Sequence, residues 1–140
     1  MIVVIDTNVF VGACLGSPSS SEVLATCLSG EHQPLVGAAL LSEYEDVLGR
    51  THLWTKCRLS AVEREELLDI FVGACRWTRI YFGWRPNLRD EGDNHLIELA
   101  VAGNAEHIVT RNIRDIGSMD LRFPQLKIST PKDFLRELKK

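Results

Sequence analysis

MIVVIDTNVF, residues 1–10, sets four branched aliphatic residues, Ile2–Ile5, directly against a carboxylate, Asp6, with Thr7 and Asn8 behind it. The apolar run is continuous rather than alternating. Such a run suits a strand buried on both faces of a parallel sheet. In open parallel sheets, ligands bind just beyond the carboxyl ends of the strands. Asp6 therefore falls where such a fold keeps its working groups. The same residues also suit a simpler role, because Asp and Asn side chains hold turns by bonding to nearby backbone.

A second stretch repeats the pattern. HIVT (107–110) is a short apolar strand followed at once by Arg111 and Asn112. Between the two, apolar strands alternate with helices. PLV (34–36) reads as a strand, and AALLSEYEDVLGR (38–50) as a helix with Leu40, Leu41, Tyr44, Val47 and Leu48 on one face. In GSPSSSEVLATCLSG (16–30), the Ser/Pro cluster reads as loop and cap before a short helix ended by Gly30. Ser60-x-x-Glu63 is a capping box for a helix through Cys75. WTRIYF (77–82) is a further expected strand, and GWRPNLRDEGD (83–93) a loop. A helix over Asn94–Ala102 and a strand at KIST (127–130) follow, and Thr130-Pro131 starts a last helix with an N-cap and an N1 proline. Strands alternating with helices predict an α/β fold with a mostly parallel central sheet flanked by helices.

Length and composition bound the rest. The chain has 140 residues, 45% hydrophobic and 25% charged, which fits one globular domain over 1–140. Mean hydropathy is −0.02, and no apolar run reaches the roughly 18 residues of a membrane span. The N-terminus lacks the basic segment of a secretory signal. Cys14, Cys27, Cys57 and Cys75 have no zinc-ligand spacing and read as reduced thiols of a cytoplasmic protein. Net charge is −3 and the pI about 5.8. A nucleic-acid substrate would need a local basic rim or bound cations, since the whole-chain charge offers no attraction.

Several chemistries lack their residues. There is no GxGxxG or GxxxxGK[ST] to cradle phosphates and no GxSxG nucleophile elbow. A phosphatase of the haloacid dehalogenase type needs a second Asp where Asn8 stands, and a receiver domain needs an acidic pair before its phosphorylated Asp. Further carboxylates fall near helix starts. On the 38–50 helix, Asp46 points away from the apolar stripe while Glu43 and Glu45 flank it on opposite sides, so periodicity alone leaves the two equivalent. Asp90 and Asp93 fit an N-cap and N3 pair as well as a metal site. His95, His107, Trp54, Trp77 and Trp84 carry no specific signal.

Four stretches in order resemble the PIN-domain ribonucleases, and among them the toxins of bacterial and archaeal toxin–antitoxin pairs. They are VVIDTNVFV, SEYEDVL, DNHLIELAVAGNAEHIVTRNIRDIG and ISTPKDFLREL, which in this order span nearly the whole chain, from residue 3 to residue 138. The resemblance implies a small Rossmann-like PIN fold with carboxylates gathered at the strand ends. Asp6 matches the family's first acid, Glu43 the second and Asp93 the third, and Asn112 or Asp115 completes the site. Asn8 and Thr110 match supporting polar positions. Oxygen ligands of this kind select Mg²⁺ or Mn²⁺, one ion or two, for RNA hydrolysis. The resemblance also implies an antitoxin partner and a homodimer. By position, Arg111, Arg114, Arg85 and Arg89 are candidates to grip RNA backbone. The alternatives are a degenerate PIN module that binds RNA or protein without cleavage, and a phosphatase on a similar sheet.

Overall fold

The computed structural model describes residues 1–80, 94–113 and 126–138. Ile2–Ile5 forms β1, followed without a loop by α1, Thr7–Cys14, and then α2, Pro18–Leu28. Next come β2 (Gln33–Val36), α3 (Ala38–Leu48), a 3-10 turn (Thr51–Trp54), α4 (Ala61–Ala74) and β3 (Arg76–Trp77). The described part closes with α5 (Asn94–Ala102), β4 (His107–Val109), β5 (Lys127–Ser129) and α6 (Pro131–Leu138).

The five strands lie in the order β3-β2-β1-β4-β5, and every pairing is parallel. The chain thus runs outward from β1 to β3 on one side, then returns to lay β4 and β5 on the other. The reversal falls between β1 and β4, whose register sets Ile5 against Val109. At such a reversal the connections diverge to opposite sides and leave a crevice at the carboxyl edge. Asp6 and Thr110, the residues that follow the paired strand ends, open into it.

Burial follows the pattern of the strands. Val3, Val4, Ile5, Ile108 and Val109 have no exposed surface, as expected of central strands covered on both faces. Phe10 of α1, Tyr44 of α3 and Phe71 of α4 meet edge to face or tilted, with ring centroids 5.7–6.3 Å apart, and lock these helices together. The Tyr44 hydroxyl, buried with its ring, donates to the Ile5 carbonyl and so pins α3 beside the end of β1.

Three elements depart from the sequence reading. The α1 helix was not anticipated: its residues TNVFVGAC offer little polar-apolar contrast, because four of the eight are buried. Pro18 starts α2, so Ser19–Ser21 are already helical rather than a capping loop. The expected strand over 77–82 shrinks to Arg76–Trp77. Thr78 still donates to the Val36 carbonyl, but β2 ends there and the chain turns into α3, so residues 79–80 have no β2 residue left to pair with. Residues 81–82 and the expected loop at 83–93 lie outside the described residues. Elsewhere the capping box at Ser60 and Glu63 forms as expected, and the Thr130 hydroxyl accepts from the Asp133 amide at the start of α6.

Candidate functional site

The site begins with a strand that becomes a helix without a turn. Asp6 donates its amide to the Val109 carbonyl (3.0 Å), continuing the sheet, and at the same time is the N-cap of α1. Its Oδ1 accepts from the Thr7 amide at 2.7 Å. One carboxylate oxygen thus caps the helix, the role of a turn-holding Asp, and the other lies at the strand end beside Thr110. There Oδ2 accepts from the Thr110 hydroxyl at 2.8 Å and from Asn8 Nδ2 at 3.3 Å. Each oxygen carries one short bond and retains a second lone pair engaged only by contacts of 3.3–3.4 Å.

Asn8 knits the two strand ends. Its Nδ2 also donates to Thr110 Oγ1 (3.2 Å), and its Oδ1 accepts from the Arg111 amide (3.0 Å). The Thr110 hydroxyl in turn accepts from the Asn112 amide at 3.1 Å. The polar pair Thr7-Asn8 and the run Thr110-Arg111-Asn112 thus form one hydrogen-bonded network at the switch point.

Glu43 and Glu45, indistinguishable by periodicity, part company in three dimensions. Glu45 lines a groove between α3 and α4 with Leu41, Arg64 and Asp69. Glu43 faces the other way. Its Oε2 lies 3.0 Å from His95 Nε2 on α5, and its charge acts on Asp6. His95 is the residue that sequence reasoning passed over. The clue lay in DNHL, where the histidine stands two positions after an acid at a helix start; nothing in the pattern of residues shows that Glu43 faces it.

Electrostatically, Asp6 is a buried acid acted on by Glu43 and His95. Asp6 is only 7% exposed, and burial pushes its carboxyl above the usual range. The bonds from Thr110 and Thr7 pull it down, while the Glu43 charge pushes it up again. No Lys or Arg among the described residues forms an ion pair with Asp6. A buried carboxylate with a second acid beside it and spare oxygen lone pairs fits a hard divalent cation. Asp6 and Glu43 would supply oxygen ligands, with His95 holding Glu43. Among the described residues no group of three or more acidic, His or Cys side chains forms a complete metal cage. Asp93, Asp115, Arg85, Arg89 and Arg114 lie outside the described residues; α5 begins at Asn94, immediately after Asp93.

An open parallel sheet carrying a buried acid at its topological switch point defines a class of small α/β domains whose chemistry is done at the strand ends. A family model described as PIN domain matches residues 2–114, and the chain belongs to that family. The solved structure of VapBC2 from Rickettsia felis, bound to a DNA fragment from the promoter, contains a chain with the same fold. The TM-score is 0.62 at 20% identity, covering 93% of this chain and 98% of that one. No curated protein sequence matches. All four cysteines are free thiols, and among the described residues no helix is long and apolar enough to cross a membrane.

Proposed function

We propose that this protein is a Mg²⁺- or Mn²⁺-dependent endoribonuclease and the toxin of a toxin–antitoxin pair. The observation that carries the reading is the buried Asp6 carboxylate at the β1–β4 reversal, bonded by Thr110 and Asn8 and faced by Glu43. Family membership supports hydrolysis of nucleic acid. The fold shared with a chain of the VapBC2 complex supports a toxin acting with an antitoxin.

In this reading Asp6, Glu43 and Asp93 hold the cation, and Asn112 or Asp115 completes its surroundings. A divalent ion held there would help activate a water and would neutralise charge on the phosphodiester. The chain's own residues do the positioning. Thr110 and Asn8 fix the Asp6 carboxylate, Thr7 ties its other oxygen to the helix, and His95 orients Glu43. The N-terminus of α1, with its partial positive charge, lowers the cost of keeping Asp6 ionised inside the fold. Acidic overall charge does not oppose RNA binding when cations and a few arginines meet the phosphates. The cellular setting consistent with free thiols is the cytoplasm, and the partners are RNA, an antitoxin and a second copy of the chain.

Asp6→Asn tests the assignment. RNA cleavage is expected to vanish with the far-UV spectrum unchanged, and EDTA is expected to abolish wild-type cleavage. Wild-type rates in the variant would overturn the site. A second reading, a PIN module that binds without cutting, is favoured by the amide at Asn112 where an acid would complete the set. It predicts RNA binding with no metal-dependent cleavage. Release of phosphate from a phosphomonoester would instead favour a phosphatase.

A further inference from the structure

The Arg111 side chain occupies a notch that exists only because residue 12 is glycine. A Cβ on Gly12 would stand 2.6 Å from Arg111 Nη1, 2.8 Å from Ser20 Oγ and 3.3 Å from Ser20 Cβ. The guanidinium thus lies across α1 where α2 packs against it. Ser20 is fully buried, and its hydroxyl has no hydrogen-bond partner. It is an acceptor beside a cation that carries five donors.

The other end of Arg111 is tied to the acid cluster. Its amide donates to Asn8, which holds Asp6 and Thr110. Asn8 and Gly12 are four residues apart on one helix, so they share a face about one turn, 5.4 Å, apart. The backbone anchors at the carboxylates, and the charge is set about one turn down the same face.

Arg111 is exposed and forms no ion pair among the described residues. Several other arginines are committed, Arg50 to Asp46 at 2.6 Å, Arg64 to the Leu59 carbonyl at 2.7 Å and over the Trp54 ring, and Arg136 to Asp133 at 3.9 Å, while Arg58 and Arg79 are not among the nearest neighbours of a Cβ at residue 12. In a chain of net charge −3, a guanidinium seated in this notch one turn from Asn8 is placed to meet an anion that approaches the acidic site. The guanidinium fork matches phosphate oxygens in a way an ammonium does not.

We infer that Arg111, seated in the Gly12 notch against Ser20, grips a phosphate of the RNA strand neighbouring the one that is cut. The inference rests on the nuclease reading and adds a strand-positioning site to it. Arg111 is a binding residue for the flanking backbone, not a group acting on the reacting atoms.

The test uses the full-length chain and a short fluorescent oligouridylate in EDTA, so that binding is read without cleavage. Arg111→Gln is expected to weaken binding about 10-fold. It should also flatten the dependence of log Kd on log salt by about 0.7, the contribution of one single-strand phosphate contact. Arg111→Lys keeps the charge and loses the fork; it should keep the wild-type salt slope with weaker binding. In Mg²⁺-dependent cleavage, Arg111→Gln should raise KM about 10-fold with kcat within about twofold. An unchanged salt slope in Arg111→Gln, or a fall in kcat at constant KM, would overturn the phosphate site. If Asp6→Asn abolishes cleavage while Arg111→Gln binds like wild type, the nuclease reading stands and this one fails. If the wild-type chain neither binds the oligouridylate nor cuts RNA, both fail.

Discussion

The Thr110 hydroxyl donates a buried 2.8 Å hydrogen bond to Asp6 Oδ2, joining residues 104 positions apart in the chain. Thr110→Val keeps the shape and removes the donor. The abandoned carboxylate oxygen should cost about 1–3 kcal/mol of stability, the usual penalty for a buried group left without its partner. Urea unfolding reads this as a lower midpoint at unchanged m-value. Cleavage should fall roughly 10- to 100-fold, as for other groups that orient a metal ligand.

Glu43 and Glu45 give opposite outcomes under the same substitution. Glu43→Gln removes a charge facing Asp6 and should lower cleavage on the order of 10²–10³-fold, comparable to losing one electrostatic stabiliser of a transition state. Glu45→Gln alters the α3–α4 groove and should leave cleavage within about twofold, as for ordinary surface changes. Single-turnover cleavage of one RNA by both variants decides it, and equal effects would sink the assignment.

Acid should weaken the protein through two buried histidines. His32 and His107 pack edge to face on Phe134, with ring centroids 5.3 and 5.1 Å away. Burial holds both below the ordinary value of 6.5. The terminal ammonium opposes a charge on His32, and on His107 Glu137 offsets part of the burial effect while Lys127 adds to it. With folded values below unfolded ones, the unfolded chain binds more protons in that window. Stability is then full above pH 6.5 and falls as pH drops below it. Asp6, raised by burial, has the opposite sign: it costs stability as pH rises through its folded value. Unfolding midpoints at pH 7.5 and 5.5 are best compared in the Asp6→Asn background. There His107→Gln should reduce the acid loss, and an unchanged loss would refute the histidine origin.

Gly103→Ala should destabilise, against the general trend for removing glycine. An added methyl normally gains about 0.4–1 kcal/mol by restricting the unfolded chain. Here its Cβ would stand 2.2 Å from Leu35 Cδ1, and Leu35 is only 1% exposed, with nowhere to turn. Overpacking of this kind costs about 1–3 kcal/mol, so the clash wins. Thermal unfolding should show a lower Tm, and a raised Tm would show that β2 yields.

Much of the architecture was legible in the sequence because parallel strands advertise themselves. Ile2–Ile5 and His107–Val109 are short, almost wholly apolar and followed by polar residues, and those polar residues proved to be neighbours across the sheet. The α1 helix was hidden because a helix buried on much of its surface shows no contrasting faces. The Arg76–Trp77 strand was overextended because strand length is set by the partner, and Val36 ends it. Periodicity could not separate Glu43 from Glu45, since which flank meets a histidine depends on where α5 lands. The role of Gly12 was equally invisible, because a notch is defined by the side chain that enters it.

The parallel pairing of β1 with β4 has a further consequence for how the molecule comes into being. The neighbour of β1 is synthesised about a hundred residues after it, an interval on the order of 5–20 s at ordinary synthesis speeds. Until then Asp6 has no Thr110 to receive it and no crevice to face. On the nuclease proposal, a nascent or truncated chain that lacks β4 would therefore spare the RNA that encodes it, because the site is assembled only when the distant strand has been made.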